Sequence, residues 1–112
     1  MAKTRIDEKT LIKITEYIAA VGKYYKVDAV YIFGSFAKGT EREDSDYDFY
    51  VVIPDDSGMR ELEASRAINM RIPRRTRGID MLVGTQSKFN RRKNYFYSIE
   101  NEIIETGVKL HG

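Results

Sequence analysis

The stretch YIFGSFAKGTEREDSDYDFYVVI, residues 31–53, decides how this chain has to be read. An apolar run breaks at Gly34-Ser35, ten residues follow, and Asp46 and Asp48 then open a second apolar run. Two carboxylates at the mouth of a buried strand are costly unless something positive sits against them. Side chains alternate along a strand, so Asp46 and Asp48 point the same way, with Tyr47 and Phe49 opposite. Their oxygens can then converge on one spot. At neutral pH such a pair repels, so one carboxyl takes up a proton or a cation binds. A third carboxylate, Asp80, stands in GIDMLVG, again one residue inside an apolar run and on one face with Leu82. All-oxygen ligands favour Mg²⁺ or Mn²⁺. Asp44, Asp46 and Asp48 also spell the start of a calcium-binding EF-hand loop, but Phe49 stands where that loop needs glycine and Asp55 where it needs glutamate.

Working outward, the strands expected are Ala29 to Phe33, Tyr47 to Ile53 and Ile79 to Val83, each short, apolar and rich in β-branched or aromatic residues. Leu11, Ile14, Ile18, Val21 and Tyr25 step by three and four, the mark of an amphipathic helix. Ser57 caps a further expected helix through Ala64, Ile68 and Ile72 that stops at Pro73. A last helical region starts at Thr85, placing Phe96, Ile99 and Ile103 on one face; Gly107 closes it, and VKLH is read as a terminal extension. The order α-β-α-β-α-β-α, with a single turn of helix at Ser35, makes an α/β (α+β) fold: a small mixed sheet flanked by helices. At 112 residues the chain suits one domain, 1–112, without repeat or linker.

Composition narrows the chemistry. There is no cysteine, which removes disulfides, thiolate metal sites and cysteine nucleophiles. The single histidine is His111, so histidine-based catalysis is not expected and carboxylates are the main reactive groups. No stretch resembles a signal peptide or a membrane span, and a cytoplasmic protein is expected. Charge is segregated: residues 41–63 hold nine acidic and two basic residues, net −7, and residues 71–93 hold eight basic and one acidic, net +7. Charge runs of this kind are commonly solvated faces; here they also describe an acidic metal site beside a surface for phosphates or an acidic partner. The run Tyr95-Phe96-Tyr97 is read as core packing and partner contact rather than a base-stacking platform.

Gly34-Ser35 directly after a strand permits a sharp bend and close approach of a phosphate, with Lys38 one turn on to add charge. Alone, such a turn is an ordinary strand-to-helix link. Joined by ten residues to D-x-D, and with Asp80 further on, it resembles the nucleotidyltransferase superfamily that includes DNA polymerase beta, most closely the minimal nucleotidyltransferases (MNT proteins). GSFAKGTEREDSDYDFYVV, GIDMLV and the closing SIENEIIETGVKLHG bear that resemblance, which spans nearly the whole chain. It implies the nucleotidyltransferase fold. It implies that Asp46, Asp48 and Asp80 hold two Mg²⁺ ions, Mn²⁺ being an alternative, and that Asp80 helps to deprotonate the attacking hydroxyl. It implies that Gly34 and Ser35, helped by Lys38, bind the triphosphate of an NTP, ATP in the favoured case. MNT proteins act as antitoxins by moving AMP to a tyrosine of a small helical HEPN toxin, and that is the partner and function implied. The alternatives are a module that neutralises a partner by contact alone, and transfer to a small molecule or RNA.

Overall fold

The structure is a computed structural model that describes residues 26–42, 46–56, 63, 66 and 79–112. The helices expected through 11–25 and after Ser57 lie outside the described residues, except that Glu63 and Arg66 are helical and exposed. The basic stretch 71–77 lies outside them too.

Four strands form one sheet in the order β3-β2-β1-β4. They are β1 (Ala29–Phe33), β2 (Tyr47–Ile53), β3 (Ile79–Thr85) and β4 (Val108–His111). The helices are α1 (Ser35–Lys38), α2 (Gln86–Arg92) and α3 (Ile99–Thr106). β1 runs antiparallel to β2 and to β4, and β2 runs parallel to β3. The sheet is therefore mixed, as expected, and the fold class is α+β.

β2 is buried on both faces, which is why its sequence is a nearly unbroken apolar run rather than an alternation. On one face Val30 and Ile32 join Tyr47, Phe49, Val51, Ile53 and Val83, with Phe36 of α1 packed against them. The Phe36 and Tyr47 rings sit 4.8 Å apart. On the other face Ala29, Phe33, Tyr50 and Val52 pack with Phe89 of α2 and Ile103 of α3. The Tyr31 ring stacks on Phe89 at 5.3 Å. Alternation puts Asp48 on this second face, in line with Tyr50 and Val52, so the acidic residue opens toward the side that α2 and α3 cover.

Three expectations are corrected in detail. β3 continues two residues beyond Val83 to Thr85, whose hydroxyl then caps α2 by accepting the Lys88 N–H. The expected last helix is two helices, broken at 93–98, so Phe96 lies outside both and is exposed; of Ile99 and Ile103, one turn apart on α3, only Ile103 is buried. Ser98 makes the break, because its hydroxyl accepts the Asn101 N–H at 3.0 Å and donates to the Arg92 carbonyl at 2.6 Å. VKLH is no extension. Val108 and Leu110 pack on the core as β4 pairs with β1, so the element order ends in a strand rather than a helix.

Candidate active site

The antiparallel register sets Phe33 opposite Asp48, which brings the end of β1 and the turn after it against the start of β2. Gly34 has φ +74 and ψ −148, a conformation that only glycine adopts without strain. A Cβ at this position would run into the Asp48 carboxylate. The glycine is thus required twice, for the bend and for the room it leaves Asp48. Beyond it α1 makes one turn, with Lys38 N–H donating to the Gly34 carbonyl at 3.1 Å and Thr40 N–H to that of Ser35 at 2.9 Å.

The parallel register pairs Asp48 with Asp80 directly across β2 and β3, both on the face that holds Tyr50 and Leu82. Asp48 is half-buried and Asp80 exposed. Asp46 is exposed and sits one residue before β2, at the lip rather than within the strand. Burial raises the Asp48 carboxyl above its ordinary 3.8, and the charges of Asp80, Asp46 and Glu102 raise it further. The charges of Asp46 and Asp80 are therefore both felt at Asp48. Among the described residues, however, no three carboxylates are drawn close enough to grip an ion as they stand. The donor set still fits a hard divalent cation: every donor is an oxygen, and Asp48 stays partly desolvated among like charges that a cation would neutralise. Lys38 lies half-exposed beside this group, 3.9 Å from Glu102 Oε2.

Sequence reasoning missed Glu102, which approaches Asp48 only because α3 folds back over the sheet; no local pattern announces that. It also missed a buried carboxylate. Glu100 is 4% exposed. It accepts the Tyr50 hydroxyl at 2.7 Å and Arg92 Nε at 3.1 Å. Burial pushes its carboxyl up, but the Tyr50 hydroxyl, its own backbone N–H and Arg92 outweigh that and hold it below its ordinary 4.5. Tyr50 reaches Glu100 by leaning over Gly84 of the neighbouring strand, where a Cβ would collide with the phenol oxygen. The aromatic run is exposed as well: Tyr95, Phe96 and Tyr97 are 51, 78 and 94% accessible, so they pack no core.

Residues 13–111 match the family model described as polymerase beta, nucleotidyltransferase. The chain belongs to this family. No curated protein matches it. Among solved structures, a nucleotidyltransferase structure from Sulfolobus solfataricus, described there as putative, is similar with TM-score 0.59 and 25% identity, over 74% of this chain and 73% of that one. Two toxin-antitoxin structures share the fold. One, "the toxin-antitoxin with AMP-PNP", has TM-score 0.54 and 18% identity. The other, a mutant of the toxin-antitoxin MntA-HpeT, has TM-score 0.54 and 17% identity. Each covers 91% of this chain and 73% of its own. As a nucleotidyltransferase-family domain the chain has its acidic lip where β2 and β3 begin and its Gly-Ser turn where β1 ends. No helix among the described residues is long and apolar enough to cross a membrane.

Proposed function

We propose that this domain is a divalent-metal-dependent nucleotidyltransferase. It moves AMP from ATP to a hydroxyl of a protein partner, a tyrosine of a small helical HEPN toxin, and so acts as an antitoxin. The observation that carries the reading is the register of Asp48 against Asp80, beside a turn whose glycine has no room for a side chain.

The roles follow from position. Asp46, Asp48 and Asp80 hold the metal, Asp48 at the centre of the group. When bound, the ions neutralise charge on the phosphates and on the attacking and leaving oxygens. Gly34 lets the triphosphate come close to the backbone, and Ser35 and Lys38 donate to it. The acceptor oxygen bonds to the α-phosphorus as the bond to the bridging oxygen breaks, and the electron pair leaves with pyrophosphate. Asp80, exposed at the start of β3, takes the acceptor proton. Positioning and charge neutralisation supply most of the catalysis of such a transfer, so no histidine is needed.

Two observations support a protein acceptor. The fold is shared with the structures named as toxin-antitoxin, one of them with AMP-PNP. The exposed rings of Tyr95, Phe96 and Tyr97 follow the exposed Arg91 in the chain, and aromatic and arginine side chains are the types enriched at protein interfaces. The test is to incubate the protein with Mg²⁺, the HEPN-type partner and ATP labelled at either the α- or the γ-phosphate. The α-label should appear on a partner tyrosine and the γ-label only in pyrophosphate. Neutralisation of the partner without transfer of the α-label contradicts the enzymatic reading.

A further inference from the structure

We propose that Glu102 is a positioning residue for Lys38, holding the ammonium beside the Gly34-Ser35 turn until the triphosphate displaces it. The inference rests on the reading of that turn as the triphosphate site and adds a part that the reading lacks: what Lys38 does when the site holds no nucleotide.

The geometry supplies the elements of an exchange. Lys38 ends α1, and its backbone N–H is bonded to the Gly34 carbonyl, so the side chain starts beside the turn. Its Nζ lies 3.9 Å from Glu102 Oε2, with both side chains close to half exposed, at 45 and 43%. An ion pair this exposed is weak and breaks readily. Glu102 is nevertheless well placed, because the first turn of α3 is fastened to the sheet. Glu100 is bonded to Tyr50 and Arg92, and Ile103 is 1% exposed. Glu102 stands between these two anchors. Its charge is also felt at Asp48, so the carboxylate overlooks the acidic lip.

An ammonium held there has two possible partners. In the free protein Glu102 takes it, which keeps one cation beside four carboxylates. A triphosphate offers several negative oxygens over the same turn and outcompetes one solvated carboxylate. When pyrophosphate leaves, Glu102 recovers the lysine. Glu102 therefore lowers nucleotide affinity slightly and favours release of pyrophosphate.

The test is a double-mutant cycle on Mg–ATP binding at about 0.15 M ionic strength, where charges further apart than about 8 Å are largely screened. Glu102→Gln should tighten Mg–ATP binding by about two- to fivefold, the range expected for an exposed pair. The gain should vanish in a Lys38→Met background, where there is no cation to compete for. Labelling gives a second readout. An amine-selective acylating reagent, followed peptide by peptide in a mass spectrometer, should modify Lys38 faster in Glu102→Gln than in the wild type, and Mg–ATP should slow it in both. Unchanged or weaker binding in Glu102→Gln, an equal gain in both backgrounds, or Lys38 labelling indifferent to Glu102 each overturns the proposal. A wild-type protein that does not bind Mg–ATP overturns the triphosphate site itself, and this inference with it.

Discussion

Asp48 is the residue on which most depends: it is half-buried at the start of β2, where the charges of Asp80, Asp46 and Glu102 meet it. A carboxylate at the head of FYVVI had no apolar role to fill, and period-two alternation fixed its face. Its partners came through unevenly. Asp80 was readable from a second strand of the same pattern, and Gly34 from the bend that ends β1. Glu100 and Glu102 were not, because SIENEIIE is an ordinary amphipathic pattern in which glutamates belong to water. Only tertiary packing makes Glu100 a buried anion and brings Glu102 to Asp48. Because burial and like charge raise the Asp48 carboxyl, ionising it at neutral pH costs the metal-free protein stability. Asp48→Asn removes that cost at nearly constant shape. The metal-free variant is expected to melt at or above the wild-type temperature, while transfer falls by about two to three orders of magnitude, on the scale of losing a main electrostatic group. Calorimetry and a label-transfer assay on one preparation check this; a variant that melts well below the wild type contradicts the placement.

At the scale of elements, β1 and β2 match the residues expected from their apolar runs, because both carry residues that fit a buried strand and are bounded by Gly34 and Pro54. The C-terminal third departs from its apparent periodicity. Phe96 falls at a helical spacing from Ile99 and Ile103, and that periodicity hid the cap. Yet Ser98-Ile-Glu-Asn offers a hydroxyl followed three residues later by the N–H it accepts, a start signal that outweighs one aromatic. VKLH alternates apolar and polar, the signal of a half-buried strand, but four residues are too few for alternation alone to distinguish a strand from an extension. Ser98 joins α2 to α3 twice, so Ser98→Ala loses the cap and one of the two donors to the Arg92 carbonyl, the other being the Tyr95 N–H. A loss of about 1–3 kcal/mol is expected in denaturant unfolding. Ser98→Thr, which keeps the hydroxyl, should recover most of it. If the alanine variant is as stable as the wild type, the two helices are not joined through this serine.

Across the whole molecule, the net charge of +2 conceals an acidic run at 41–63 and a basic run at 71–93. Of the acidic run, Asp46 and Asp48 stand where β2 begins, and Asp80 and Glu102 add their charge there. The pH dependence of stability has two carboxylate contributors of opposite sign, the raised Asp48 and the lowered Glu100, and the second sets the acid side. Glu100 is held below its ordinary carboxyl value by Tyr50, its backbone N–H and Arg92, so the unfolded chain binds the proton more readily than the folded one. Its contribution is complete above pH 4.5 and is lost as pH falls through the lower folded value. Melting temperature should therefore drop on acidification, and Glu100→Gln should be less stable at neutral pH with a shallower acid limb. An acid limb of unchanged steepness in that variant would mean that other carboxylates set it.

The central claim is that the carboxylates of β2 and β3 form a metal–nucleotide site next to the Gly34 turn. Counting bound Mn²⁺ by electron paramagnetic resonance, with a non-hydrolysable ATP analogue present, tests it most directly. The account predicts two tightly bound ions per chain in the wild type, and loss of both in Asp48→Asn with the circular-dichroism spectrum unchanged. Mn²⁺ binding that is absent from the wild type, or equal in the two proteins, would contradict it.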